Sequence, residues 1–162
     1  TKRWPTATSL RFCLRSAADN DIEVFRIVRE PIEPNALEAA IRAGDGGVVT
    51  FLGIVRDSDD AGKPVSALEY EAFESMALRE FEIIASEARE RFGDVRVAIV
   101  HRVGEVRAGE ISVAVLASAG HRGAAVEACR YAIDEVKSRA TIWKRERYAD
   151  GSARWRATNP GG

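Results

Sequence analysis

Two hydrophobic periods alternate along this chain, and each change of period marks an element. Ile22, Val24, Ile27 and Val28 predict a strand, which Pro31 and Pro34 break. Pro34 stands where a helix can begin, Leu37, Ala40 and Ile41 give that helix an inner face, and Gly44, Gly46 and Gly47 end it. The apolar run Val48 to Val55 then predicts a buried strand that delivers Arg56 at its exit. Asp57 to Pro64, with four charged residues as well as Gly62 and Pro64, predicts a solvated, mobile connection able to act as a flap. Extended chain resumes from Val65 to Ala72.

Ala77, Phe81, Ile84, Ala85, Ala88 and Phe92 recur at helical spacing and predict a long amphipathic helix ending at Gly93. Val95 to Val100 and Ile111 to Leu116 read as the next two strands, and the turn containing Gly104 and Gly109 suggests an antiparallel hairpin. Val126, Cys129, Ile133, Val136 and Ala140 form the apolar stripe of a second helix. The β-branched pair Thr141 and Ile142 then favours extended chain. Alternation in that strand puts Lys144 and Glu146 on one face, Trp143 and Arg145 on the other. The order of elements predicts an α+β fold, a single domain in which helices cover one face of a mainly antiparallel sheet.

Composition narrows the function. With 162 residues, 46% of them apolar, the chain is long enough for one core. Its 24 basic and 25 acidic residues give a formal charge of −1, so no global field draws nucleic acid or an anionic membrane, and any anion preference must be local. Cys13 falls in an aperiodic tail and Cys129 on an apolar stripe, which suggests neither a bridge nor a ligand. His101 and His121 lack companions at metal-ligand spacing, so no metal is expected. The glycines form neither dinucleotide nor P-loop spacing, so no nucleotide cofactor is expected, or any other cofactor. Residues 1–20 read as a flexible N-terminal extension, with residues 21–162 as the domain. Without a run of transmembrane length or a cleavable leader, a cytoplasmic protein is expected.

Cations concentrate around one helix. A small-residue loop, Ser118 to Gly120, follows the strand and opens the helix, whose free N–H groups suit a phosphate or carboxylate, with His121 and Arg122 at its mouth. Lys137 closes the helix at the edge of its stripe, and Lys144 rides the strand beyond. Two readings compete. In one, Lys137 pairs with Asp134 and Lys144 with Glu146 on wet surfaces. In the other, these cations surround an anion.

The segments GGVVTFLGIVRD, LEYEAFESMA, VAIVHRVGEVRAGE, SAGHRGAAVEACRYAIDEVKSRA and IWKRE, in that order between Phe25 and Trp155, resemble the family of molybdopterin synthase catalytic (large) subunits. The resemblance implies an α/β hammerhead fold and an enzyme that places two sulfurs on cyclic pyranopterin monophosphate, making the dithiolene of molybdopterin. It also implies partners. Sulfur would arrive as a thiocarboxylate on the C-terminal Gly-Gly of a small ubiquitin-like carrier subunit, and two large subunits would form the homodimer at the centre of a heterotetramer.

Residue by residue, the resemblance makes Arg56 an arginine of the substrate pocket and His121 with Arg122 the pair holding the phosphate-bearing pterin. Lys137 and Lys144 match the lysines beside the carrier tail, Glu146 follows in the same run, and Phe51 matches a pocket-lining aromatic. Lys137 is then the expected chemical residue, its charged form disfavoured by neighbouring cations, while Lys144 stays charged and holds the carrier carboxylate. The family's C-terminal pocket arginine has no evident match in RATNPGG, and Arg154 or Arg156 is the candidate substitute. His101 is read as a structural hydrogen bonder outside the site. The alternative from another class is a non-catalytic α+β module binding an anionic metabolite. Such a module would tolerate arginine at both lysine positions, whereas an enzyme needs an amine able to lose its proton.

Overall fold

A computed structural model describes residues 24–156 of the chain. The extension 1–20, Ile22, Cys13 and residues 157–162 lie outside that range. In chain order the elements are β1 (Phe25–Val28), a single 3-10 turn (Glu38–Ala40), β2 (Gly47–Ile54), β3 (Val65–Ala72), α1 (Glu74–Phe92), β4 (Val95–Arg102), β5 (Gly104–Arg107), β6 (Ile111–Ala119), α2 (Arg122–Arg139), β7 (Ile142–Tyr148) and β8 (Ala153–Arg156).

The α+β class is as expected, but the strands form two sheets rather than one. The first has the order β1-β4-β6-β2, with β1 parallel to β4 and the other pairs antiparallel. The second has the order β5-β3-β7-β8 and is antiparallel throughout. The hairpin β4–β6 forms as predicted, yet its connection contributes β5 to the other sheet, which is how one chain serves both. Gly104 and Gly109, at φ 82° and 88°, turn the chain at the two ends of β5.

Both helices pack on the first sheet, where Phe81, Ile84, Ala128 and Ala132 meet Val97, Ile99, Val115 and Ala117. Phe81 and Ile84 are fully buried, and each contributes roughly 1.5–3 kcal/mol of transfer free energy. The other face of that sheet is covered by Ile32, Leu37 and Ala40 lying over Val100, Ala114 and Leu116. No described helix is long and apolar enough to cross a membrane.

Three expectations are corrected. The helix after Pro34 is a run of three-residue turns, with the N–H groups of Ala36, Glu38, Ala40 and Ile41 each bonded three residues back. Leu37 and Ala40 are buried without a longer helix to present them. Strand β2 is an edge strand, with Val48 and Ile54 exposed, so its continuous apolar run does not mean burial on both faces. The stripe of α2 is built from Ala125, Ala128, Cys129, Ala132, Ile133 and Val136, while Val126 is exposed. Small side chains there let the helix approach β2, β6 and α1 together.

Candidate functional site

Where the second sheet faces the last turns of α2, a cavity of about 490 Å³ opens. Each wall follows from local structure. Strand β2 ends as the Val55 N–H bonds the Glu110 carbonyl, and Arg56 emerges at the rim. The last turn of α2 carries Lys137 to the opposite rim. The chain leaves the helix at Ala140, with extended ψ of 134°, and β7 pairs with β3 in a register that sets Lys144 against Tyr70 and Glu146 against Leu68. Strand β8 then sets Arg156 directly opposite Lys144. Arg56, Lys137, Lys144 and Arg156 thus share one cavity with Glu146. Alternation in β7 is as predicted, for Arg145 points away and bonds Glu69.

The two surface pairs of the bland reading do not form. Asp134 is engaged by Arg130 at 3.9 Å, and the Lys137 ammonium lies 5.9 Å from the centre of the Phe51 ring. Glu146 is buried and accepts hydrogen bonds from the Tyr148 hydroxyl at 2.6 Å and from Arg156 Nε at 2.9 Å. That carboxylate pushes the Tyr148 hydroxyl up to about 12. Lys144 is the lysine whose charged form the site disfavours. Partial desolvation of its ammonium holds the pKa below the usual lysine value, the cations Lys137, Arg156 and Arg56 add to this, and Glu146 opposes it.

Arg56 bonds Asp60 at 2.8 Å in an exposed pair at the mouth of the cavity. The loop carrying Asp60 is tied down rather than loose. Asp59 Oδ1 accepts from the N–H groups of Ala61 and Lys63, Ser58 bridges to Pro64, and Lys63 reaches Asp150 at 3.0 Å.

His121 and Arg122 are not brought to this cavity. They stand exposed at the first turn of α2, and 15 residues of helix separate Arg122 from Lys137, about 22 Å at 1.5 Å per residue. Ser118 and Ala119 belong to β6, so the corner is only Gly120 and His121. It is held tightly, for the Gly46 N–H bonds the Ala119 carbonyl, and a Cβ on Gly47 would lie 2.7 Å from Arg122 Cα.

Of the two candidates for a C-terminal pocket arginine, Arg156 lines the cavity. The sequence signal that selects it is its register opposite Lys144. Tyr70, Ser112 and His101 form wall that sequence reasoning missed or left out. All three lie on strands, but only Ser112 is an isolated polar position between apolar neighbours, a weak signal with a purely structural reading of its own.

The fold and this cavity define a class: an α+β protein that gathers four cations around a cavity, one of them an amine held below the usual lysine pKa. Comparison with known proteins narrows it. Residues 27–139 match the family model described as MoaE protein. A molybdopterin synthase catalytic subunit of Nostoc sp. is 46% identical over 133 residues, covering 81% of this chain and 80% of the relative. One of Pyrococcus abyssi is 45% identical, covering 74% and 82%. The crystal structure of molybdopterin synthase from Staphylococcus aureus superposes with a TM-score of 0.78 at 35% identity, covering 84% of this chain and 98% of that one. The chain belongs to the MoaE family, the catalytic subunits of molybdopterin synthase, and is an enzyme of molybdenum-cofactor biosynthesis.

Proposed function

We propose that this enzyme transfers sulfur from the C-terminal thiocarboxylate of a small ubiquitin-like carrier subunit to cyclic pyranopterin monophosphate. The observation that carries this reading is the convergence of Lys137 and Lys144 on one cavity with Arg56, Arg156 and Glu146. In outline, the thiocarboxylate sulfur attacks an oxygen-bearing carbon of the pterin side chain, the C–O bond there breaks and its oxygen leaves with a proton, and water then adds to the acyl carbon. The acyl C–S bond breaks, leaving sulfur on the pterin and a carboxylate on the carrier. Both stages spread negative charge over oxygen and sulfur, and the cations stabilise it.

Lys144, with its depressed pKa, suits proton transfer at the acyl carbon, while Lys137 is placed at the rim to act on the same carbon or to fix the carrier tail. Glu146 braces Arg156 rather than meeting substrate directly. Phe51 supports the Lys137 side chain from β2. Holding the donor carbon and the pterin together contributes as much as any single group.

His121 and Arg122 enter through a second copy of the chain, as the phosphate-binding pair of the neighbouring subunit's cavity in a homodimer. The 22 Å or so of helix between them and Lys137 supports this division.

Single-turnover dithiolene formation tests the reading. Lys137→Ala, Lys137→Arg and Lys144→Arg are each expected to slow the reaction at least ~100-fold while carrier and pterin still bind, because arginine keeps the charge and cannot release its proton. Near-normal turnover by Lys144→Arg and Lys137→Arg together would overturn proton transfer by these amines and leave them as electrostatic anchors.

A further inference from the structure

The cations of the cavity can only donate hydrogen bonds. Its carboxylates are occupied, Asp60 by Arg56, Glu146 by Tyr148 with Arg156, and Asp134 by Arg130. A ligand carrying N–H or O–H groups beside its phosphate therefore finds few charged acceptors here. His101, at the end of β4, supplies a neutral one. Its Nδ1 lies 2.8 Å from the Arg102 carbonyl, and a carbonyl can only accept, so Nδ1 carries the proton and Nε2 is bare.

The ring is 7% exposed and held edge-on against Tyr70, with ring centres 5.0 Å apart, so its direction is fixed. Nε2 has no hydrogen-bond partner among the described residues, and the residue forms part of the cavity wall. We propose that His101 is a ligand-reading residue of this cavity, its bare Nε2 accepting a hydrogen bond from a ring N–H or O–H of the anionic substrate. The inference rests on the sulfur-transfer reading only for the substrate's identity.

The consequence is selectivity. Sulfate, which carries no proton at neutral pH, satisfies the cations and gains nothing from Nε2, whereas a phosphorylated heterocycle with ring N–H groups engages both. A site built to receive such a donor discriminates strongly against ligands lacking it, because the buried acceptor is otherwise left unpaired. Burial keeps the ring neutral at physiological pH, so the acceptor is present when the enzyme works.

His101→Asn isolates the role, since the shorter amide retains an N–H for the Arg102 carbonyl and removes the acceptor at the Nε2 position. In calorimetry with cyclic pyranopterin monophosphate and with sulfate as separate probes, the variant is expected to bind the pterin roughly tenfold more weakly, with sulfate unchanged. Unchanged pterin affinity, or an equal loss for both probes, would overturn the proposal. Failure of the wild-type chain to bind the pterin would overturn the sulfur-transfer reading instead, and the ligand class named here with it. Should the variant not fold, ¹⁵N-histidine spectra of the wild-type chain decide. The bare Nε2 resonance is expected to move upfield as pterin is added, and a resonance that stays in place refutes the hydrogen bond.

Discussion

Burial pushes the His101 imidazole down from 6.5 to about 4, against a weaker opposing effect of its hydrogen bond to the Arg102 carbonyl. Between those values the unfolded chain binds the proton and the folded chain does not, so the contribution is fully present above about pH 6.5 and is lost as the pH falls towards 4. The loss amounts to roughly 3 kcal/mol. Urea denaturation across that window should show stability falling with acid, and His101→Asn should flatten the slope. An unchanged slope would mean that the ring is already protonated in the native state. The sequence made this residue hard to weigh. A histidine at a strand end, flanked by Val100 and Arg102, carries no periodic signal separating a pocket wall from a core position. Lys144 and Glu146 were legible because strand alternation alone puts them on a common face. What alternation did not give was that the Lys144 ammonium is partly desolvated, since its burial depends on how elements distant in sequence close around the cavity.

At the scale of elements, strong local periodicity was reliable and the corners were not. Helix α1 ends at Gly93 and β3 spans Val65–Ala72, as their patterns require. The segment after Pro34 was misread because its short spacing fits a helix, while its only task is to cap one face of a sheet with Leu37 and Ala40. The sequence suggests a small-residue anion loop at the start of α2. A Cβ on Gly120 or Gly123 would meet nothing within 4 Å, and the steric demand falls instead on Gly46 and Gly47 of the facing segment, because β2 begins against the helix. Gly47→Ala would thrust a Cβ to 2.7 Å from Arg122 Cα and 3.0 Å from its N, both backbone atoms that cannot swing aside. Overpacking of that kind costs about 1–3 kcal/mol. Chemical denaturation should register that loss, and because Arg122 itself shifts, pterin affinity should fall with it. Full stability in the variant would show that the corner is slack.

A nearly neutral chain gathers Arg56, Lys137, Lys144 and Arg156 with Asp60, Asp134 and Glu146 around one cavity, so any preference for an anion there comes from topology and not from net charge. Both sheets are needed for it: the first, with its helices, delivers Arg56 and Lys137, and the second delivers Lys144, Glu146 and Arg156. The pair at the far end of α2 is left without a ligand partner in the same cavity, and this is the strongest structural reason to expect a working unit larger than one chain. A site shared across a homodimer makes a specific demand. Arg122→Ala and Lys137→Ala, inactive separately, should restore one intact site in each mixed dimer when the two are denatured together and refolded. Random pairing makes half the dimers mixed, so roughly a quarter of all cavities would recover. Light scattering should show the dimer at micromolar concentration. No recovered turnover in the mixture, with dimers present, would put His121 and Arg122 to work within their own chain and remove the shared site.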